Sequence, residues 1–243
     1  MRDQMIAELD GGILTSTSPL TKMTRLLQFA SAYAEVEYKD VYNEETRQVE
    51  HKAVVTLSDP SATLDAFMED LPEYGEDSIV VFAVSKQLIN LLSARLTKAG
   101  IYHGLITGDQ DALERQAHMD HFQSGQTKII LCTIAAGGTG ITLTKGRTAI
   151  FLQRSWSNIE NTQAEGRVHR IGSQIHESVQ IIDYVTSGTS QEVVFKAVEE
   201  KGRQLEFILR DKALMEKFLK NEEITSEDVD KLANPEEKEE ESE

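Results

Sequence analysis

The chain has 243 residues, of which 40% are hydrophobic and 27% charged, an ordinary composition for a soluble globular protein with room for one full domain and extensions. No apolar run approaches the roughly 18 residues of a membrane span and no apolar leader follows Met1, so the expectation is an intracellular protein. The single cysteine, Cys132, excludes an internal disulfide, the 6 scattered histidines show no metal spacing, and a net charge of −16 argues against binding nucleic acid through bulk charge.

That charge is uneven. Residues 221–243 hold eleven acids and two lysines, a net −9. Between Thr144 and Gly172 lie Lys145, Arg147, Arg154, Arg167 and Arg170 against Glu160 and Glu165, a local +3. The local field governs phosphate binding more than the total does.

In chain order, residues 1–20 read as irregular, with Gly11-Gly12 and Ser/Thr clusters. Pro19 to about Ala34 reads as a helix, with Leu20, Met23, Leu27 and Ala30 on one face. Residues 36–56 read as a hairpin around Asn43-Glu44. Pro60–Leu71 is a predicted helix, Ser78–Val84 a strand, Lys86–Ala99 an amphipathic helix closed by Gly100, and Tyr102–Ile106 a strand. Asp109 is the expected cap of a helix running through Gln123 and stopping near Gly125. Lys128–Cys132 and Thr148–Gln153 are predicted strands, 158–171 a helix, and Val179–Thr186 a strand. From Ser190 to about Leu219 the pattern is helical, with a kink expected at Gly202. Residues 221–243 contain almost no large apolar side chain and read as a disordered acidic tail.

Strands alternating with helices specify an α/β fold with a parallel sheet covered on both faces. Ligands of such sheets bind at the carboxyl ends of the strands. Ser85, Thr107-Gly108, Thr133 and Trp156 each follow a predicted strand, so they should gather along one edge.

Two segments carry chemistry. Gln163-Ala-Glu-Gly-Arg-Val-His-Arg-Ile-Gly-Ser173 reads as a helix started at Ser157 or Asn158 and ended by Gly172. At about 100° per residue, Gln163, Arg167 and Arg170 fall within about 60° of one another. Ala164, Val168 and Ile171 form the apolar stripe beside them. Guanidinium groups are always charged, and their forked donors fit phosphate oxygens. The second segment is the small-residue loop Thr133-Ile-Ala-Ala-Gly-Gly-Thr-Gly-Ile-Thr-Leu143, in which Gly138 and Gly140 let the backbone approach an anion closely. It is not a Walker A loop, because no Gly-Lys-Ser or Gly-Lys-Thr occurs in the chain.

Together, Ala-Ala-Gly-Gly-Thr-Gly-Ile-Thr-Leu at 135–143, Trp156, and Gln-Ala-Glu-Gly-Arg-Val-His-Arg-Ile-Gly at 163–172 resemble helicase motifs V and VI of superfamily-two ATPases, in the Swi/Snf-type remodeller branch. The resemblance extends over about residues 58–215. It includes Ile79–Ser85 as motif IV, Gly104-Leu-Ile-Thr-Gly108 with Arg115 and Phe122, and Ile181–Glu192. The sequence departs from the family where Thr142 stands for Asn, Gln153 for an acid, Ser157-Asn158 for Asn-Pro, and Ser173 for Gln.

The resemblance implies the second RecA-like lobe (helicase C-terminal domain) of a two-lobe ATPase. The implied layout is a lead-in or inter-lobe segment at 1–57, the lobe at 58–188, a bracing helix at 189–220 and the acidic tail at 221–243. ATP with Mg2+ would lie between this lobe and a first lobe carrying Walker A and the Mg2+ ligands. Arg167 and Arg170 are then implied as arginine fingers, with Gln163 positioning nucleotide or water, and Gly138 and Gly140 lining the nucleotide. Ser85, Thr107, Gly108, Thr133 and Trp156 are implied contacts to DNA, expected to be duplex, which implies a location in the cytoplasm or with the nucleoid or nucleus. The chain alone is expected to be inactive as an ATPase. Two other readings stay open: a non-enzymatic DNA-binding module, and a protein-interaction module using the tail and the C-terminal helix.

Overall fold

The computed structural model describes residues 7–9, 12–14, 19–43, 48–137, 140–170 and 173–210. The expectations for the turn at Glu44, for Gly138, for Gly172 as a helix end and for the acidic tail lie outside those residues. In chain order the elements are β1 (Ala7–Leu9), β2 (Gly12–Leu14), α1 (Pro19–Ser31), β3 (Tyr33–Asn43), β4 (Gln48–Ser58), α2 (Ala62–Asp70), β5 (Ile79–Ala83), α3 (Lys86–Lys98) and β6 (His103–Ile106). There follow α4 (Ala112–Gln123), β7 (Ile129–Thr133), the single turn α5 (Ile134–Gly137), β8 (Thr148–Phe151), α6 (Asn158–Val168), β9 (Gln180–Asp183) and α7 (Ser190–Arg210). By compactness the chain divides into two units, Met1–Val194 and Phe195–Glu243.

A five-stranded sheet organises the first unit, in the order β6-β7-β5-β8-β9 with every pair parallel. Successive strand side chains point to opposite faces, and both faces are covered. Ile79, Val81, Ala83, Leu131 and Ile150 share one apolar cluster with Leu64 and Phe67 of α2 and with Leu88, Leu92 and Leu96 of α3. Val80, Phe82, Ile130, Cys132 and Phe151 share the other with Phe122 of α4 and with Ala164 and Val168 of α6. Phe82 and Phe151 stack with ring centroids 5.1 Å apart. Each fully buried Leu, Ile or Phe contributes about 1.5–3 kcal/mol relative to exposure, so this double layer sets the position of every loop at its rim.

The predicted strands and helices of the sheet are present, and the exceptions have local causes. Residues 1–20 include an antiparallel pair, β1 with β2. The first helix stops at Ser31, whose hydroxyl donates back to Leu27 O at 2.6 Å, and the chain turns into β3, where Tyr33 N–H donates to Pro60 O at 2.9 Å. The β3–β4 hairpin pairs Tyr33 through Asn43 with Gln48 through Ser58, longer than expected, because Val55 and Leu57 at its base are drawn into the core. Asp111, not Asp109, caps α4, accepting from Leu113 and Glu114 N–H at 2.8 Å each. Asp109 pairs with Lys86 instead, at 2.6 Å. The last described helix runs through Gly202 without a break.

Candidate nucleotide and nucleic-acid site

The register sets the loops beside one another. Ala83 lies opposite Thr133, Phe82 opposite Phe151, and Ile106 opposite Cys132. Ser85, Thr107-Gly108, Thr133 and the 152–156 stretch therefore leave adjacent parallel strands at one edge, where open α/β sheets bind ligands. Gly108 has φ +90°, a conformation that glycine adopts without a Cβ penalty.

The backbone donors of this edge are partly committed. Ser85 N–H donates to Gln153 Oε1 and Thr107 N–H to Gln110 Oε1, both at 2.8 Å. Ser85 Oγ caps α3 by accepting Leu88 N–H at 3.4 Å, and Thr133 Oγ1 accepts Ala136 N–H at 3.4 Å. Ser85, Thr107 and Thr133 are only 8%, 8% and 4% exposed, so a ligand here would reach a small part of each, and the peptide N–H groups of Ser85 and Thr107 are already engaged. Trp156 is half-buried, and its indole Nε1 is enclosed without a hydrogen-bond partner among the described residues.

Behind the edge runs α6. Ser157 caps it, accepting Glu160 N–H at 3.4 Å. The fully buried Asn161 binds Ser155 twice, Oδ1 accepting from Ser155 N–H at 2.9 Å and Nδ2 donating to Ser155 O at 2.8 Å. At the far end, Leu143 N–H donates to Arg167 O at 2.9 Å, which draws the small-residue loop against the arginine-bearing helix. Gly140, at φ +68° and exposed, leads into that contact.

The helix ends at Val168, with His169 at φ −87° and ψ 84°. This corrects the expected span of 158–171. Gln163, exposed, and Arg167, half-buried, do share a helical face. Arg170 lies past the end, so helical phase does not align it with them. It opens instead on a cleft of about 450 Å³, bordered also by His169, Ser173, His176 and Glu177.

The expected basic patch is also partly spent. Arg154, 12% exposed, donates to Asp183 through Nε at 2.6 Å and Nη2 at 2.9 Å, and through Nη1 to Glu165. Its Cζ sits 3.9 Å from the Phe151 ring centroid. Burial works against this charge, but the hydrogen bonds and attraction of Asp183 and Glu165 outweigh it and hold the guanidinium above its ordinary pKa. Arg147 pairs with Asp77 at 3.0 Å. The roles of Arg154, Asn161 and Gln110 are not legible in the sequence, because their partners lie on other elements or depend on loop geometry. Among the described residues, no group of three or more His, Cys, Asp or Glu could hold a metal ion, and no helix is long and apolar enough to cross a membrane.

Residues 62–172 match the family model described as the helicase conserved C-terminal domain. The SWI/SNF-related matrix-associated actin-dependent regulator of chromatin subfamily A-like protein 1 of Xenopus tropicalis is 30% identical over 136 residues, covering 56% of this chain and 14% of that protein. The chromatin-remodeling ATPase INO80 of Neurospora crassa is 30% identical over 148 residues, covering 60% of this chain and 7% of that protein. An uncharacterized ATP-dependent helicase of Schizosaccharomyces pombe is 27% identical over 154 residues, covering 63% and 15%. The chain thus spans 7–15% of the length of these curated relatives. The crystal structure of the C-terminal part of the Fun30 ATPase domain shares the fold, with a TM-score of 0.52 at 22% identity over 57% of this chain and 45% of that one. On this parallel sheet, residues 62–172 thus match the helicase conserved C-terminal domain, and the chain is similar there to SWI/SNF-related and other chromatin-remodeling proteins.

Proposed function

We propose that this chain is the C-terminal half of a DNA-dependent ATPase and translocase, which completes an ATP site formed with a first RecA-like lobe and grips the DNA backbone. The observation that carries the reading is the contact of the small-residue loop with α6, Leu143 N–H to Arg167 O, behind an edge where four strand-end loops converge. In this reading Arg167 and Arg170 meet the terminal phosphate of ATP and stabilise the charge that develops as it is transferred. Gln163, on the face of Arg167, positions the nucleotide or the attacking water, and Gly138 and Gly140 line the nucleotide. Arg170 borders a cleft that Arg167 and Gln163 do not line, so in this reading closure of the two lobes brings its guanidinium to the phosphate beside Arg167. Mg2+ would be held by acids of the first lobe.

The Ser85 and Thr133 hydroxyls, Thr107-Gly108 and Trp156 take the DNA. Such contacts position a strand without reading its sequence, so duplex of any sequence is the expected partner. Alternate closing and opening of two lobes around ATP would move the enzyme along the strand.

The test is ATP turnover by this chain with and without a separately prepared first lobe, each with and without duplex DNA. Turnover stimulated by DNA only in the mixture is expected. Turnover of about 1 s⁻¹ or faster by the chain alone would overturn the division of labour. No DNA binding by chain or mixture would move weight to a protein-interaction module.

A further inference from the structure

A buried polar node sits under the sheet edge. Gln153, 3% exposed, accepts Ser85 N–H through Oε1 at 2.8 Å and donates through Nε2 to Ser31 Oγ at 2.6 Å and Leu27 O at 3.2 Å. Gln191, 4% exposed, donates through Nε2 to the same Ser31 Oγ at 2.8 Å and accepts Thr186 N–H at 2.9 Å. Ser61 Oγ donates to Ser31 O at 2.5 Å. One serine at the end of α1 thus joins the loop after β5, the loop after β8, the cap of α2 and the first turn of α7.

All of these bonds but the partly buried one between Thr186 and Gln191 are inside the protein, where a polar group left without a partner costs far more than a bond gained in water. The amide of Gln153 is the member that faces both ways. Its oxygen holds the peptide of Ser85, and its nitrogen holds the end of α1. A carboxylate at this position keeps the first of these functions and loses the second, because it has no proton to donate.

We propose that Gln153 is a positioning residue for the nucleic-acid grip: it fixes the peptide of Ser85, itself 8% exposed at the sheet edge, and it makes α1 a structural part of that edge. This rests on the reading above that Ser85 contacts a DNA phosphate. Gln153 itself touches no ligand. Its effect on binding passes through Ser85, while its effect on stability passes through α1.

The two routes separate in a double-mutant cycle on the full chain, with fluorescence anisotropy of a labelled duplex as the readout and chemical unfolding measured alongside. Ser85→Ala is expected to weaken binding about threefold to tenfold, the range of a single net hydrogen bond. Gln153→Met is expected to weaken it by a similar factor, and to add almost nothing in the Ser85→Ala background. It should still lower the unfolding midpoint in both backgrounds. Gln153→Glu, which retains an acceptor for Ser85 N–H, should bind within about twofold of the parent. Should Gln153→Met not fold, Gln153→Asn keeps the amide but is one methylene short of spanning α1 and Ser85, and carries the same expectation. If Ser85→Ala leaves affinity unchanged, the assignment of Ser85 to DNA fails. If Ser85→Ala weakens binding but the Gln153 substitution has no effect, or its effect adds fully to that of Ser85→Ala, the positioning role fails while the assignment of Ser85 stands.

Discussion

Arg154→Met removes the clamp between three elements while leaving most of the side-chain stem in place. The guanidinium is 12% exposed, and its partners Asp183 and Glu165 are 16% and 27% exposed. Removing one member of a buried ion pair costs about 3–5 kcal/mol, chiefly because the abandoned charge stays desolvated. Here both carboxylates keep some access to water, which places the loss near the lower end, at about 3 kcal/mol. The contact with the Phe151 ring, at 3.9 Å, adds about 0.5–1 kcal/mol. A total of about 3–4 kcal/mol lowers Tm by roughly 10 °C for a domain of this size. The sign of a second substitution tests the cause. Asp183→Asn alone should destabilise, yet Arg154→Met with Asp183→Asn should recover about 1 kcal/mol or more of the single loss, since it deletes the stranded charge. Urea unfolding followed by circular dichroism measures both, and amide exchange should rise in α6, which Glu165 ties to the sheet through Arg154. A single-variant loss below about 1 kcal/mol, or a double variant no more stable than the single, would refute the account.

Two glycines near and in α6 should respond in opposite directions. A Cβ on Gly146 would lie 2.7 Å from Val80 Cγ2, 3.0 Å from Val168 Cγ1 and 3.1 Å from Leu143 O, so Gly146→Ala should cost about 1–3 kcal/mol. A Cβ on Gly166 meets nothing within 4 Å, so Gly166→Ala should stabilise by about 0.5–1 kcal/mol in the same unfolding assay. Joined to a first lobe, Arg167→Ala and Arg170→Ala should each lower DNA-stimulated kcat by about 10³-fold or more with little change in DNA affinity measured without nucleotide; near-normal turnover would remove that arginine from the site. Deleting residues 221–243, which carry −9 of the net −16, should tighten DNA binding at low salt. The gain should fade as screening shortens to about 10 Å near 0.1 M salt, and weaker binding on truncation would contradict it.

The strands and helices of the five-stranded sheet, and their order, are legible in the residues, whereas the β1–β2 pair and the end of α6 are not. Continuous apolar runs such as Ile79–Ala83 and Ile129–Thr133, too short for a helix and rich in β-branched side chains, read as strands buried on both faces, and the amphipathic stretch Lys86–Lys98 closes at Gly100 by local rules. Periodicity, caps and glycine ends act over a few residues, so they are visible in one dimension. Given alternating strands and helices, the edge that gathers Ser85, Thr107, Thr133 and Trp156 followed as well. Which polar groups are already engaged at that edge follows from packing between distant parts of the chain. Ser85 gives its N–H to a glutamine 68 residues away, and Gln153 is held in turn by Ser31, 122 residues away. The helix meant to carry three phosphate-binding side chains in a row stops at Val168, and Arg154, counted with the basic patch, is withdrawn by Asp183, 29 residues further on. Partners so far apart in the chain meet only because the sheet stacks their strands. A buried hydrogen bond or ion pair is worth forming only where packing has already excluded water, so the sequence names the groups and the packed sheet selects their partners.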